Sequence, residues 1–275
     1  MNQLIVIIGK RSNLTESLVK TLGASRSFKV IPTWDVLAGK VDWKLLNNCT
    51  FILNNFYPAK YISNINESNL KVTVDYSIRS TSIVLDSIKN FNLKVNKIIY
   101  TSSSSVYGDS KQNLSGNDKD SFALLKKLNE IFITSYCCKN NIDYTLARVF
   151  NIYGGNDNFS VISKLIKYKS GEIFNLVNGG SSKRDYIHVD DVSYILLKLV
   201  NVTNIPVVDI GTGSSLSLCE IIEFLKSNGL PVKVLNTSSY ENPVSVANTS
   251  TLNFVIGNDY RFKSVFGFLQ DNLLN

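Results

Sequence analysis

The first chemistry visible in the sequence is a turn that can hold a phosphate. An apolar run over residues 3–9 ends at Gly9, and a helical pattern follows at 12–22. The start of a helix leaves backbone amides without acceptors inside the helix, and its dipole favours an anion there. Arg11 adds a positive charge that can pair with a phosphate. This turn is therefore predicted to bind a phosphorylated ligand.

The residue types that bind metals are not spaced for that purpose. The four cysteines, Cys49, Cys137, Cys138 and Cys219, form neither a CxxC pair nor a His/Cys ligand pattern, and His188 is the one histidine. Adjacent cysteines on a helix point to different faces. We therefore expect neither a metal centre nor a disulfide.

Alternating strands and helices must position the phosphate turn. Apolar strand patterns cover 3–9, 28–34, 50–55, 97–103 and 142–151, separated by helical patterns at 12–22, 72–94 and 120–140. This order predicts an α/β fold, a doubly wound, Rossmann-like parallel sheet with ligands beyond its carboxyl ends. A further helix at 192–200 and strand at 206–211 return to the sheet. We predict one domain over 1–155 and 186–211, and a smaller mixed α/β lobe over 156–185 and 212–275.

Composition limits the class of protein. The chain is 44% hydrophobic and 19% charged, which is ordinary globular composition. It shows neither an apolar run of about 20 residues nor a signal peptide at its start, so we expect a cytoplasmic protein without a membrane partner. The net charge of +7 is dispersed. It is therefore assigned to a solvated surface and a phosphate site, and not to nucleic-acid binding.

Six segments together resemble the extended short-chain dehydrogenase/reductase family, which includes nucleotide-sugar epimerases, dehydratases and 4-keto-sugar reductases. They read KIIYTSSSSVYGD (97–109), FALLKKLNE (122–130), YTLARVFNIYGGND (144–157), KRDYIHVDDV (183–192), VVDIGTGSSLSLCEII (207–222) and SVANTSTL (245–252). They occur in the family's order and spacing over nearly the whole chain. The resemblance implies an NAD or NADP cofactor, a nucleotide-diphosphate sugar as substrate, and a substrate-binding role for the smaller lobe.

The family's proton-transfer centre consists of a Ser or Thr after the fourth strand and a Tyr-x-x-x-Lys pair on the next helix. The resemblance places the serine at Ser103, with Ser104 beside the substrate, and the lysine at Lys126, which should also bind the cofactor ribose. The tyrosine position holds Phe122. The i, i+4 spacing keeps both side chains on one helix face. Phenylalanine has no proton to exchange, and losing such a group typically costs about 10²–10⁴ in rate.

Three explanations fit Phe122. It can be a deliberate substitution that traps a complex. It can be natural, with Ser103, a water or another tyrosine supplying the proton, and Tyr107 and Tyr186 are the first to test. It can also mark a chain in which catalysis has been abandoned.

The phosphate turn departs from the family's GxxGxxG pattern, because Ser12 and Thr15 replace its second and third glycines. Gly9 keeps the tight turn, while Asn13 and Glu16 fit an N-cap and its partner. The helix start, including Leu14, remains available to an anion, so dinucleotide binding is still predicted.

Cofactor choice depends on one residue after the second predicted strand. Asp35 lies where an acidic residue holds the adenosine ribose of NAD. No arginine is apparent there for a 2′-phosphate. This favours NAD, although many reductases of the family use NADPH.

The resemblance also assigns the substrate side. Asn151 corresponds to an asparagine near the substrate, and Arg184 to the arginine that binds the substrate diphosphate. His188 belongs to a motif that is structural in the family. A second phosphate-binding arginine, usual before the last motif, is absent.

The pattern favours one reaction class. Dehydratases of the family carry an Asp-Glu pair where this chain has Ser104 and Ser105. The leading prediction is an NAD(P)-dependent reductase of a nucleotide-linked 4-keto (6-deoxy) sugar in bacterial surface-polysaccharide precursor synthesis. A C4 epimerase and a non-catalytic dinucleotide-binding protein are the alternatives. By analogy with the family, helices near 72–94 and 120–140 are expected to form a homodimer.

Overall fold

The computed structural model describes residues 3–23, 27–55, 67–108, 118–169, 171–239 and 242–273. The chain divides into two compact units. The first contains Met1–Arg148 and Ser193–Val208, and the second contains Val149–Val192 and Asp209–Asn275. The corresponding boundaries predicted from the sequence pattern lie at 155, 185 and 211. In the described ranges, no helix has the length and apolarity that crossing a bilayer requires.

The first unit is organised around a six-stranded parallel sheet, as the sequence predicts. Its strands are β1 (Leu4–Ile8), β2 (Phe28–Ile31), β3 (Cys49–Leu53), β4 (Val95–Ser103), β5 (Asp143–Val149) and, after several elements of the second unit, β10 (Val207–Ile210). The spatial order is β10-β5-β4-β3-β1-β2. The chain order reverses between β1 and β3, which defines the switch point where such sheets bind ligands.

Buried aliphatic residues account for the strands. Ile5, Val6, Ile7 and Ile8 of β1 are each at most 1% exposed. β-branched side chains favour the extended backbone, and a strand covered on both faces needs a continuous apolar run. β1 pairs in parallel with both β2 and β3, so it is an interior strand next to the edge strand β2.

The helices of the first unit are α1 (Asn13–Leu22), α2 (Thr33–Leu37), α3 (Glu67–Val74), α4 (Ser80–Asn90) and α5 (Asp118–Asn140). A π-helical segment, Asp75–Arg79, joins α3 to α4. The predicted strand 28–34 is wrong at its end. Pro32 cannot donate a ladder hydrogen bond and stands as the N-cap of α2, so Asp35 lies in a short helix.

The second unit contains three small sheets, with orders β11-β8-β13, β12-β7 and β6-β9. Its strands are β6 (Asn151–Tyr153), β7 (Phe174–Val177), β8 (Lys183–Arg184), β9 (Tyr186–His188), β11 (Leu216–Ser217), β12 (Val234–Thr237) and β13 (Val244–Ser245). Its helices are α6 (Val161–Ile166), α8 (Leu218–Ser227), α9 (Ser250–Ile256) and α10 (Val265–Leu273), while α7 (Val189–Leu199) crosses the unit boundary. A separate core, including Tyr153, Ile162, Ile221 and Leu269, holds these elements together.

Candidate active site

Gly9, at the carboxyl end of β1, is required by backbone packing. Its φ is +114°, and a Cβ there would lie 2.2 Å from the carbonyl oxygen of Asn54, at the end of β3. A side chain at this position would collide with backbone, which cannot yield cheaply. The close approach of these two segments shapes the turn at the switch point.

The N-cap of α1 is Ser12, and the prediction of Asn13 as the cap is wrong. The Ser12 backbone is extended and its Oγ accepts the amide of Thr15 at 3.0 Å, while its carbonyl accepts the amide of Glu16 at 3.0 Å. Asn13 and Leu14 are therefore the first helical residues, and their amides belong to the turn that the sequence predicts to bind a phosphate. The serine that replaces a glycine has become the helix cap.

Asn54, which sequence reasoning missed, fixes this turn to the sheet. Its Nδ2 donates to Ser12 Oγ at 2.7 Å and to Thr15 Oγ1 at 3.0 Å. Thr15 Oγ1 in turn donates to the carbonyl of Gly9 at 2.6 Å. The two side chains that stand in glycine positions are thus held in place by hydrogen bonds. An asparagine directly after a buried strand at the switch point was the available signal.

The same network continues to Lys126. Thr101 Oγ1, on β4, lies 2.9 Å from Asn54 Oδ1 and 3.0 Å from the carbonyl of Leu53, and its hydroxyl can donate a hydrogen bond to either oxygen. Lys126 Nζ donates to the carbonyl of Thr101 at 2.7 Å. A hydrogen-bonded path therefore connects the phosphate turn to the lysine of α5.

Lys126 is buried against aromatic rings. The residue is 5% exposed, and its Nζ lies 5.0 Å from the centroid of the Tyr100 ring and 5.8 Å from that of Phe122. Burial lowers the pKa of Lys126 to about 7, and the carboxylate of Glu130 opposes this shift. The predicted pairing of Phe122 and Lys126 on one face of α5 is present.

Glu130, one turn further along α5, is bound to other groups. Arg148 Nε and Nη2 donate to its two oxygens at 3.0 and 2.8 Å, and Ser102 Oγ donates to Oε1 at 2.6 Å. This bidentate pair raises the pKa of Arg148. The guanidinium carbon of Arg148 also lies 4.7 Å from the centroid of the Tyr107 ring.

Ser103 has the geometry of both a cap and a ligand. It precedes a 3₁₀ helix, Ser104–Tyr107, and its Oγ accepts from the amide of Ser105 at 3.2 Å and from Ser105 Oγ at 3.0 Å. Both contacts use Ser103 Oγ as an acceptor, which leaves its O–H to donate. Ser103 and Ser104 are half-buried at the end of β4.

Arg11, from the turn after β1, contacts Trp34 of α2, the short helix that follows β2. The guanidinium carbon of Arg11 lies 4.5 Å from the centroid of the Trp34 ring. Such cation–π contact holds the arginine beside α2, which also carries the half-buried Asp35. A cation and a carboxylate therefore both border the place predicted for the adenosine ribose.

In the second unit, Arg184 is anchored beside a buried carboxylate. Arg184 Nη1 donates to the carbonyls of Lys183 at 2.9 Å and Asn242 at 2.7 Å. The adjacent Asp185 is 0% exposed. Its carboxylate accepts the amides of Thr212, Gly213 and Ala247 at 2.8, 2.9 and 3.2 Å, and the Thr212 hydroxyl at 2.8 Å. Asp185 therefore ties the segments at Thr212–Gly213 and Ala247 to the strand that carries Arg184.

Asn151 joins the same cluster, since its backbone amide and its Nδ2 both donate to the carbonyl of Asp185 at 3.0 Å. His188 is part of the core. A Cβ at Gly154 would lie 2.1 Å from its Nε2, and its Nδ1 accepts the amide of Asp190 at 3.2 Å. The structure thus ties Asn151 to the backbone next to Arg184 and packs His188 tightly.

A cavity of about 420 Å³ also lies in this unit. It is lined by residues of α6 and β7 and the segment between them, among them Lys164, Lys167, Tyr168 and Phe174. Its lining carries both charges, since Glu172 lies there with the two lysines.

A parallel sheet whose chain order reverses between β1 and β3, with helices between its strands, defines a Rossmann-like α/β fold. The family model described as "NAD dependent epimerase/dehydratase family" matches residues 55–211. The chain belongs to this family.

Individual relatives share part of their length with the chain. A putative UDP-glucose 4-epimerase of Methanocaldococcus jannaschii is 28% identical over 166 residues, covering 55% of this chain and 52% of the relative. A GDP-6-deoxy-D-talose 4-dehydrogenase of Aggregatibacter actinomycetemcomitans is 26% identical, covering 71% of this chain and 70% of the relative. The chain spans about half the length of the first curated relatives that it matches.

Among solved structures, an NAD-dependent NDP-hexosamine 5,6-dehydratase involved in tunicamycin biosynthesis has a TM-score of 0.82 and 17% sequence identity. The match covers 99% of this chain and 97% of that chain. This likeness shows the fold.

Proposed function

We propose that this protein is a cytoplasmic, NAD(P)-dependent enzyme that reduces a nucleotide-linked 4-keto (6-deoxy) sugar, or oxidises the corresponding alcohol. The observation that carries this proposal is the path of hydrogen bonds from the turn at Gly9, through Asn54 and Thr101, to Lys126. It fixes a phosphate turn and a family lysine within one unit.

A nicotinamide dinucleotide fits the turn. Gly9 lets the turn pack closely against the Asn54 backbone, and the first turn of α1 would offer amides to a pyrophosphate. Arg11, Asp35 and Lys126 would hold the remaining phosphate and ribose groups. The cofactor would supply or accept the hydride. Asp35 favours NAD, whereas Arg11 on Trp34 offers a cation to a 2′-phosphate.

The second unit is proposed to bind the sugar nucleotide. Arg184 would pair with the diphosphate, and Asn151 would lie near the sugar. The buried Asp185 carboxylate holds the segments next to Arg184. It would therefore support diphosphate binding indirectly, without contacting the ligand.

A 4-dehydrogenase of a 6-deoxy sugar nucleotide among the relatives supports the reductase direction. C4 epimerisation is the second candidate, because relatives named as epimerases match the chain and the same hydride position would serve both reactions. Phe122 favours the third candidate, a non-catalytic dinucleotide-binding protein, since this residue cannot exchange a proton.

Binding of both ligands tests the proposal. Isothermal titration with NADH, NADPH and a series of UDP-, GDP- and dTDP-sugars should show a dinucleotide complex that binds one nucleotide class. Arg184→Ala should weaken sugar-nucleotide binding by about 1.5–3 kcal/mol and leave cofactor binding unchanged. Arg261→Ala, an exposed arginine of the same unit, is the matched control. Loss of cofactor binding in Arg184→Ala, with sugar-nucleotide binding intact, would contradict the assignment of the two units.

A further inference from the structure

Asn54, directly after β3, contacts both side chains that stand in glycine positions of the predicted phosphate turn. Its Nδ2 donates to Ser12 Oγ at 2.7 Å and to Thr15 Oγ1 at 3.0 Å. These two hydroxyl oxygens lie 3.1 Å apart, and Thr15 is 2% exposed. The three side chains therefore form one cluster, which joins the start of α1 to the end of β3.

The hydrogen-bond capacity of the two hydroxyls explains the need for an amide. The Thr15 hydroxyl donates to the carbonyl of Gly9 at 2.6 Å, and the Ser12 hydroxyl donates to Thr15 Oγ1. Ser12 Oγ also accepts the backbone amide of Thr15 at 3.0 Å. A hydroxyl oxygen can accept two hydrogen bonds, so each oxygen has capacity for one more. The two N–H groups of Asn54 fill both positions.

The other end of the amide fixes its orientation. Thr101 Oγ1 on β4 lies 2.9 Å from Asn54 Oδ1 and can donate to it, so the amide carbonyl is directed to β4 and the two donors to α1. An aspartate has no N–H group to offer in place of the amide, and a glutamine side chain is one methylene longer. An asparagine therefore suits this position, because it carries two donors on one side and an acceptor on the other.

We infer that Asn54 is a positioning residue of the dinucleotide site, and that Asn54, Ser12 and Thr15 together replace the second and third glycines of the turn. Glycines at these positions let the helix start approach the strand closely because they carry no side chain. Here the side chains are present, and hydrogen bonds hold them between α1, the end of β1 and the end of β3. Asn54 acts on the ligand through Ser12 and Thr15. This inference rests on the proposed function, which places a dinucleotide at this turn.

The inference predicts that the three residues depend on one another. With glycine at positions 12 and 15, no hydroxyl would require the donors of Asn54, so losing this side chain would have little effect on the turn. In the parent chain, the same loss leaves two hydroxyl oxygens without their shared donor. Energies of groups in one hydrogen-bond network are not additive, whereas those of distant, independent sites are. Coupling between substitutions therefore distinguishes this cluster from three unrelated residues.

Amide hydrogen exchange tests the cluster before any ligand is added. Ser12 Oγ accepts the amide of Thr15 and the Ser12 carbonyl accepts the amide of Glu16, each at 3.0 Å. In Asn54→Ala these two amides should exchange about tenfold faster than in the parent, while the amides of β1 keep their rates. An equal acceleration throughout the first unit would show a general loss of stability and would overturn the positioning role.

Dinucleotide affinity is then measured by calorimetry with NADH and NADPH in two backgrounds. In the parent, Asn54→Ala should weaken binding about tenfold. In Ser12→Gly/Thr15→Gly, the double-glycine variant, the further change Asn54→Ala should alter affinity less than about twofold. Asn140→Ala, at an exposed helix end, is the control in both backgrounds. An equal loss of affinity in the two backgrounds would contradict the inference.

The inference and the proposed function fail in different ways. If NADH or NADPH binds the parent and Asn54→Ala equally well, Asn54 has no positioning role, while the proposed function stands. If neither dinucleotide binds the parent or the double-glycine variant, both fail. Ser12→Ala/Thr15→Val removes the same hydroxyls without adding backbone freedom, so the comparison with and without Asn54→Ala can be made there if the double-glycine variant does not fold.

Discussion

The burial of Lys126 should be visible as a pH dependence of folding stability. The pKa of this lysine falls from 10.5 to about 7 on folding because its ammonium loses water. Below pH 7 it is charged in both states and the full cost of burial is present. Above pH 7 the folded protein releases the proton, while the unfolded chain keeps it until about pH 10.5. The unfolded state then binds one more proton, so stability rises with pH.

The size of the effect follows from the same shift. Each pH unit in this window changes the unfolding equilibrium constant tenfold, so Lys126 should contribute roughly 2 kcal/mol of added stability between pH 7 and 8.5. The range stops there because burial raises the pKa of Cys49 and Cys137 to about 12. Above pH 8.5 the same thiols ionise in the unfolded chain, which lowers stability.

The assay compares the pH dependence of stability in the parent protein with that in a variant that lacks the lysine. Urea unfolding at several pH values gives the free energy of unfolding for the parent and for Lys126→Met, which keeps the length of the side chain without a titrating group. The parent should gain about 2 kcal/mol on the variant between pH 7 and 8.5. Lys127→Met removes an exposed lysine of the same helix, so it measures the effect on stability of losing one positive charge at the surface. A difference between parent and Lys126→Met that stays constant with pH would refute the reasoning.

Three further predictions test the other parts of the site. Gly9→Ala should abolish dinucleotide binding and lower the free energy of unfolding by on the order of 3 kcal/mol, because its Cβ would lie 2.2 Å from the Asn54 carbonyl oxygen. An unchanged dinucleotide affinity by calorimetry would contradict the predicted phosphate turn. Asn54→Ala should leave Thr15 and Ser12 without their shared donor and weaken dinucleotide binding about tenfold, roughly 1.4 kcal/mol, whereas Asn140→Ala, at an exposed helix end, serves as its control. Light scattering at micromolar concentration should show a homodimer, since α5 exposes apolar residues such as Leu124 and Ile131, 52% and 53% exposed; a monomer would exclude it.

The sequence by itself determined the order of elements and the chemistry that is missing. Continuous apolar runs identify the buried strands, because a strand covered on both faces has no polar face to show. The residue type at position 122 is likewise given by the sequence, so the absence of a phenol at that position is known without a structure. Ends of elements were less certain. The strand beginning at Phe28 stops at Ile31 because Pro32 starts a helix.

Tertiary structure alone decided how the site is held. Ser12 and Asn13 are both good helix caps, so local preference could not choose between them. Asn54, directly after β3, decides between them by donating to Ser12 across 42 positions of the chain. The pKa of Lys126 depends in the same way on burial by β4 and on the sharing of Glu130 with Arg148. Such effects arise from groups far apart in the chain, and spacing along a sequence carries no record of them.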